Sequence, residues 1–369
     1  MKTKVPLILL ASCLLAVAAW SVQGPDRLQN DEVPEKYRET VSKGLEYLAK
    51  TQCKDGHWEG DAGKHPVAMT ALAGMALLME GSNVHKGKYA ANLRKAADWL
   101  MDRSQAGRDG LIFSDHASET NRYMQGHGLA TLFLAWAYGN EIDKVRRERL
   151  KGILTRAAKY IASAQSSQGG WYPTSRVEGH DLDEILVTAM QIQALYTAGI
   201  LGIPIAWDTV KDGQVYLKTT LEKRKEGPGS AQNPARQADI AAALACRSCP
   251  DANGYDQQCT KWFKECQTEI PVGSGVRFGR DELAHYFYAQ AIFNRLLSSN
   301  ERRDIDAEWG KYRTAMFDHL QSSQNQDGSW PAGNGISVGP VYATALWCTI
   351  LQLDKKNHPL TRQRLVASF

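Results

Sequence analysis

From Glu35 onward the chain alternates two kinds of apolar pattern. In the first kind, Tyr37, Val41, Leu45 and Leu48 fall on one stripe of residues 35–51, which predicts an amphipathic helix with one wet face. In the second, as in residues 67–79, small and apolar side chains run with almost no charge, which predicts a helix buried on most sides. The two kinds keep alternating. Amphipathic stretches at 93–101, 146–164, 215–221, 259–266 and 305–320 each precede an apolar one, at 126–138, 185–198, 238–245, 283–297 and 338–353. Neither member of a pair hides its apolar side alone, so neighbouring pairs must stack.

A short phrase joins the members of a pair. It reads Gln52-Cys53-Lys54-Asp55-Gly56-His57-Trp58, then Gln165-Ser166-Ser167-Gln168-Gly169-Gly170-Trp171, then Gln324-Asn325-Gln326-Asp327-Gly328-Ser329-Trp330. Each copy has Gln, three residues, Gly, one residue, Trp. Glycine supplies the positive φ of a tight turn, and tryptophan a large flat apolar body. Turn aromatics or loop glycines fall near 58, 113, 171, 228, 278 and 330, a period of about 50 to 58 residues. That predicts six units over 35–369, the fourth of them degenerate around Gly227 to Gly229. Two closures fit: an open solenoid, or a ring with the apolar helices as an inner barrel and the amphipathic ones outside. Nearly charge-free inner helices favour the ring, because a solenoid leaves one face of that layer in water. The expected fold is therefore all-α, an α/α toroid.

Ahead of this body, Lys2 and Lys4, the apolar run 5–19 and small residues around Ala18 to Ser21 form the three regions of a signal peptide over 1–21, and 22–34 is a polar lead-in. The expected location is periplasmic or secreted. Leu10-Ala11-Ser12-Cys13 resembles a lipobox, but apolar residues continue to Trp20, which argues against a lipid anchor on Cys13. No later run reaches the roughly 20 apolar residues of a membrane-spanning helix. The formal charge of +4 shrinks once Lys2 and Lys4 leave. With no basic block, and aromatics at helical spacing instead of among Lys and Arg, nucleic acid is not an expected partner.

The Gln-x3-Gly-x-Trp phrase resembles the repeat of squalene and terpene cyclases and of protein prenyltransferase β subunits, over roughly Lys36 to the C-terminus. The resemblance implies an α/α toroid of six helical hairpins, in which Gln52, Trp58, Gln165, Trp171, Gln324 and Trp330 fasten successive hairpins. It does not carry function. A prenyltransferase zinc site needs an Asp-x-Cys pair opening one inner helix and a His opening a later one. Here Asp281 is followed two places on by Leu283, and the last inner run opens Gly339-Pro340-Val341-Tyr342, so that chemistry is not expected. Class II cyclases protonate with the middle aspartate of Asp-x-Asp-Asp. Asp181-Leu182-Asp183-Glu184 is similar, and clustered carboxylates raise one another's pKa; carboxylates before an inner helix are also ordinary caps and dipole partners. The Cys-Gly-Glu-Gln core of thioester domains is missing from the sequence.

In a ring of parallel inner helices, the N-termini share one end and its positive dipole charge. Asp181, Asp183, Glu184, Asp239, Asp281 and Glu282 lie at those starts, with His65, His127, His180, His285, Arg236 and Arg280 among them. Asp281, His285 and Tyr288 share one helix face, and Tyr123, His127 and Thr131 another. An acidic and imidazole rim over Tyr286, Phe287, Tyr288, Trp136 and Trp347 would suit a ligand with an apolar body and a polar end. The plainer reading is capping carboxylates and histidines satisfied by neighbours. A divalent metal could use His127, His180 and Asp281, but no paired-histidine motif supports one, and no cofactor is expected. Cys246, Cys249, Cys259 and Cys266 suggest two disulfides in an exported chain, ahead of a structural zinc. Cys53 and Cys348 read as buried small apolar residues. The leading expectation is binding of a lipid-like ligand or a protein partner at the rim. An acid-dependent cyclase, isomerase or lyase is the alternative, and an envelope scaffold a third.

Overall fold

The computed structural model describes residues 32–104, 109–223, 234–246, 256–270, 272, 281–298, 302–331 and 338–355. The signal segment, Cys13, Cys249, Arg280 and the side chain of Asp281 lie outside that description. Among the described residues there are twelve α-helices and no strand. They are α1 (Glu35–Thr51), α2 (Pro66–Met79), α3 (Ala90–Arg103), α4 (Tyr123–Gly139), α5 (Lys144–Ala164), α6 (Ile185–Ile200), α7 (Trp207–Lys223), α8 (Pro234–Cys246), α9 (Asp256–Glu269), α10 (Asp281–Ser298), α11 (Arg302–Ser323) and α12 (Pro340–Leu351). No described helix is long and apolar enough to cross a membrane.

Burial follows the two patterns of the sequence. All of α2 except Ala68 is buried, as is α6 from Ile185 to Ala198, whereas α1 buries only Tyr37, Thr40, Val41, Gly44, Leu45 and Leu48. Proline at the first position opens α2 and α12, where a missing N–H costs nothing. Asp143 caps α5 by accepting from Arg146 N at 2.8 Å. The even-numbered helices pack on one another in chain order, from α2 through α12, and α12 packs back on α2. The odd-numbered helices lie against them on the outside. The structure is an α/α toroid, a ring and not an open spiral.

Side chains close the seam at both layers. Outside, Tyr37 Oη donates to Asp318 Oδ1 at 2.7 Å and Lys36 Nζ does so at 2.5 Å, while Gln321 Nε2 donates to Lys36 O at 2.9 Å. Inside, Gln352 Nε2 donates to Ala76 O at 3.0 Å, and Lys355 Nζ to Glu80 O at 2.9 Å. Asp61 N donates to Val338 O at 3.0 Å. Within the ring, Gln193 Nε2 of α6 reaches past α8 to Gln290 Oε1 of α10 at 3.3 Å. Side chains therefore bridge the lumen at that level.

The three Gln-x3-Gly-x-Trp turns have one geometry. Each Gln donates to the turn glycine's carbonyl and to the outer helix of the next unit: Gln52 to Gly56 O and Asn92 O, Gln165 to Gly169 O and Thr209 O, Gln324 to Gly328 O and Thr40 O, all at 2.7 to 2.9 Å. Each tryptophan is fully buried, its Nε1 donating to the carbonyl ten residues earlier, Leu48, Ile161 or Leu320. Gly56, Gly169 and Gly328 have φ of 105°, 90° and 89°. A Cβ on any of them would also meet the next outer helix's backbone within 2.7 Å, so both conformation and space require glycine.

The fourth outer helix is longer than its apolar pattern predicts. It starts at Trp207, not near 215, because its buried face includes Thr209, Gly213 and Gln214, residues that interrupt the stripe. The fourth inner unit and the α9 to α10 connection are described only in part. Cys246, Cys259 and Cys266 are buried and carry free thiols. Every way of making two disulfides from the four expected cysteines joins two of these three, and none of them is joined. Cys246 Sγ instead donates to Ala189 O at 3.6 Å.

Candidate functional site

The carboxylates before α6 do not gather over the lumen. They turn back onto the Trp171 turn. Asp183 Oδ1 accepts from Ser166 Oγ, Asp181 Oδ1 accepts from Ser167 N at 2.7 Å, and Glu184 N donates to Trp171 O at 2.7 Å. Glu184 is the N-cap of α6, yet its side chain makes no capping bond. Their environments differ. Burial, helped by the Asp181 charge and only partly offset by the Ser166 bond, raises the pKa of Asp183 above its ordinary value. Bonds from Ser167 hold exposed Asp181 below it, with Arg176 3.8 Å away.

Tyr123 pins the same loop from the other side. Its hydroxyl donates to Glu178 Oε2 at 2.6 Å and accepts from Ser175 N at 2.7 Å. Thus residues 175–184 are tied at both ends, but Val177 and Leu182 are 67% and 53% exposed. His180 is exposed between them.

The predicted histidines are fixed inside the wall. His127 Nδ1 accepts from Ile112 N at 3.0 Å, and Nε2 faces Ala157 O at 3.4 Å. This sets the tautomer, and burial pushes its pKa down to about 4. His285 Nδ1 lies 3.0 Å from Tyr312 Oη of α11, with its pKa pushed down to about 3, mainly by burial. Tyr288 packs edge-on against the same Tyr312 ring, 5.3 Å between centroids. The face of α10 that carries His285 and Tyr288 therefore meets the outer helix. Asp239 is buried within α8. Of the expected metal set, His127 is enclosed in the wall and His180 is exposed to solvent, so these two do not share an ion, and the Asp281 side chain lies outside the description. Among the described residues, the His, Cys and carboxylate group close enough to share an ion lies elsewhere, in the Trp58 turn.

A groove of about 720 Å³ lies beside His85, Arg94, Ile142, Val145, Arg146 and Arg149, and none of the residues above lines it. Its cations are largely matched: Arg146 pairs with Asp98 and Glu141, and Arg149 with Asp102.

Residues 27–174 match the squalene-hopene cyclase C-terminal domain family. Residues 241–367 match the prenyltransferase alpha-alpha toroid domain family. The two matches make the chain similar to the squalene cyclase and prenyltransferase toroid families. Lanosterol synthase of Homo sapiens is 29% identical over 143 residues, which are 38% of this chain and 19% of that protein. The match thus spans about a fifth of that relative.

The repeat also has positions that the spacing of Gln and Trp does not reveal. Trp58 N, Trp171 N and Trp330 N donate to Thr70, Thr188 and Thr344 Oγ1 at 2.9 to 3.1 Å. These threonines lie near the starts of α2, α6 and α12, and loops of unequal length hide the register. In the next outer helix, Gly213 lies against Trp171 and Gly44 against Trp330. Glu119 is a further omission. It is 2% exposed, accepts from Val67 N at 2.9 Å at the start of α2, and burial pushes its pKa up to about 7. Its place just before α4 resembled ordinary loop polarity.

Proposed function

We infer that this toroid is a binding protein, and that residues 175–184 at the inner-helix N-terminal end form its contact surface. One observation carries the reading: Val177 and Leu182 are held in water by a loop that has little freedom to withdraw them. Tyr123, Ser166 and Ser167 fix the loop's backbone and carboxylates, while Arg176, His180 and Asp181 surround the apolar pair with exposed polar groups. An apolar centre with a polar rim suits a lipid-like ligand or a protein partner. The loop arrives ordered, which lowers the entropic cost of association.

Val177→Asp with Leu182→Asp tests this. The doubly substituted protein keeps the wild-type melting curve, because both side chains are already in solvent, and it loses the lipids or crosslinked proteins that copurify with the wild type. Unchanged copurification removes the loop from the function.

Asp183 supports a second reading, an acid-dependent cyclase, isomerase or lyase. A partly buried carboxyl with a raised pKa suits proton donation. Its bond to Ser166 favours a structural role, and turnover unaffected by Asp183→Asn ends the catalytic reading.

A further inference from the structure

The turn between α1 and α2 differs chemically from its two counterparts on the same backbone. Cys53 N donates to His57 O, Ser166 N to Gly170 O and Asn325 N to Ser329 O, each at 2.9 Å. That pairing sets the second and sixth residues of the phrase side by side. In the last copy the two side chains bond directly, Asn325 Nδ2 to Ser329 Oγ at 3.0 Å. The later copies fill these places with Ser166 and Gly170, or Asn325 and Ser329, and follow the tryptophan with Tyr172 or Pro331. The first copy has Cys53, His57 and Glu59. One donor atom from each lies within 4.8 Å of the other two. Cys53 is also only partly buried, in the turn and outside the helical frame expected for it.

The imidazole is already oriented. His57 Nδ1 is 2.6 Å from Asp55 Oδ1, its ring stacks on Trp99 at 5.0 Å and 20°, and Asp55 Oδ2 accepts from Trp99 Nε1 at 3.1 Å. A neutral imidazole that donates Nδ1–H to Asp55 turns its bare Nε2 lone pair toward Glu59 Oε2, 3.4 Å away. Two acceptors so placed repel unless a proton or a cation lies between them. A proton would satisfy that pair and leave Cys53 without a purpose. A tetrahedral ion with bonds of about 2.0 to 2.3 Å holds its donors about 3.3 to 3.8 Å apart, which the 3.4 Å between His57 and Glu59 already matches, with Cys53 Sγ within 4.8 Å of both. The carboxylate behind the imidazole is the usual support of a metal-bound histidine.

We propose that Cys53, His57 and Glu59 form a binding site for a divalent cation of the zinc class, with Asp55 as the positioning residue for His57. Thiolate, imidazole and carboxylate together favour zinc over the hard cations calcium and magnesium. The site is separate from the 175–184 loop and does not depend on the binding reading.

The test uses the purified full chain, stripped with chelator and titrated with cobalt(II) and then zinc. One cobalt per chain, with sulfur-to-cobalt charge-transfer absorption displaced by zinc, is expected. Cys53→Ser and His57→Ser place at each position a residue that another copy of the turn already carries, so both should fold, as unchanged helical circular dichroism would show. Each should abolish the band. Asp55→Asn should weaken zinc binding roughly 10- to 100-fold. Absence of a band in the wild type overturns the proposal. So does a stoichiometric band that survives Cys53→Ser, which would place the metal on other thiols, such as Cys246, Cys259 and Cys266.

Discussion

Alanine in place of Gly44 should destabilise the protein even though alanine is the better helix former. Gly44 lies within α1, so the substitution gains roughly 0.5 to 1 kcal/mol of helix propensity. A Cβ there would stand 2.5 Å from Cys348 Sγ of α12 and 2.9 Å from the Trp330 ring. Both neighbours are buried, and Trp330 is fixed by its bonds to Leu320 O and Thr344 Oγ1, so the overlap cannot relax by a rotamer change. Overpacking of this kind costs roughly 1 to 3 kcal/mol. The net loss expected is about 0 to 2.5 kcal/mol, from the difference of the two effects. Gly310 of α11 is the control, since a Cβ there meets nothing within 4 Å. Gly310→Ala should therefore stabilise by the propensity term alone. Equilibrium urea unfolding followed by circular dichroism compares the three proteins at equal slope. If Gly44→Ala shifts the midpoint upward as Gly310→Ala does, α1 does not lie against Trp330 and α12, and the packing at the seam is wrong.

Two further outcomes follow from buried groups. Glu119 holds its proton to about pH 7 in the folded chain, against 4.5 for the ordinary carboxyl. Its contribution is complete below pH 4.5 and is lost as pH rises through 7, by on the order of 3 kcal/mol in all. Glu119→Gln should match the wild type at pH 4 and exceed it at pH 8 in chemical denaturation; parallel profiles would show that the carboxyl is not desolvated. His127 acts in the opposite sense: its folded pKa of about 4 lies below the ordinary 6.5, so stability is lost as pH falls from 6.5 through 4, a decline that Glu119→Gln should retain. Thiol titration of the denatured, unreduced protein should find all five described cysteines, Cys53, Cys246, Cys259, Cys266 and Cys348, reactive. Two fewer would show a disulfide within that group.

The fold was legible because two signals in the sequence agree. Apolar runs without a wet face require cover on every side, and only a closed inner layer gives it; the Gly and Trp of each turn mark where one layer passes to the next. Thr70, Thr188 and Thr344 were not legible, since they follow their tryptophans at 12, 17 and 14 residues. The rim residues misled for a different reason. Helical spacing places His285 and Tyr288 on one face but does not say whether that face meets the lumen or α11. Likewise the Asp181 to Glu184 segment reads as a cluster from its sequence, while its hydrogen bonds run to a turn some fifteen residues earlier. Cys53, His57 and Glu59 were hidden by the repeat itself, because the eye follows the shared Gln, Gly and Trp and passes over the residues between them.

Closure of the ring can be read directly at Lys36 and Asp318. These residues are separated by 282 positions, their charged atoms lie 2.5 Å apart, and both side chains are about half exposed. A zero-length carbodiimide should join Lys36 Nζ to the Asp318 carboxyl as an amide at low protein concentration. Mass spectrometry of the monomer should then find one peptide linking α1 to α11, absent from Lys36→Arg. A monomer fully modified at both residues yet never crosslinked would mean that the first and last outer helices do not meet, and that the chain is an open spiral.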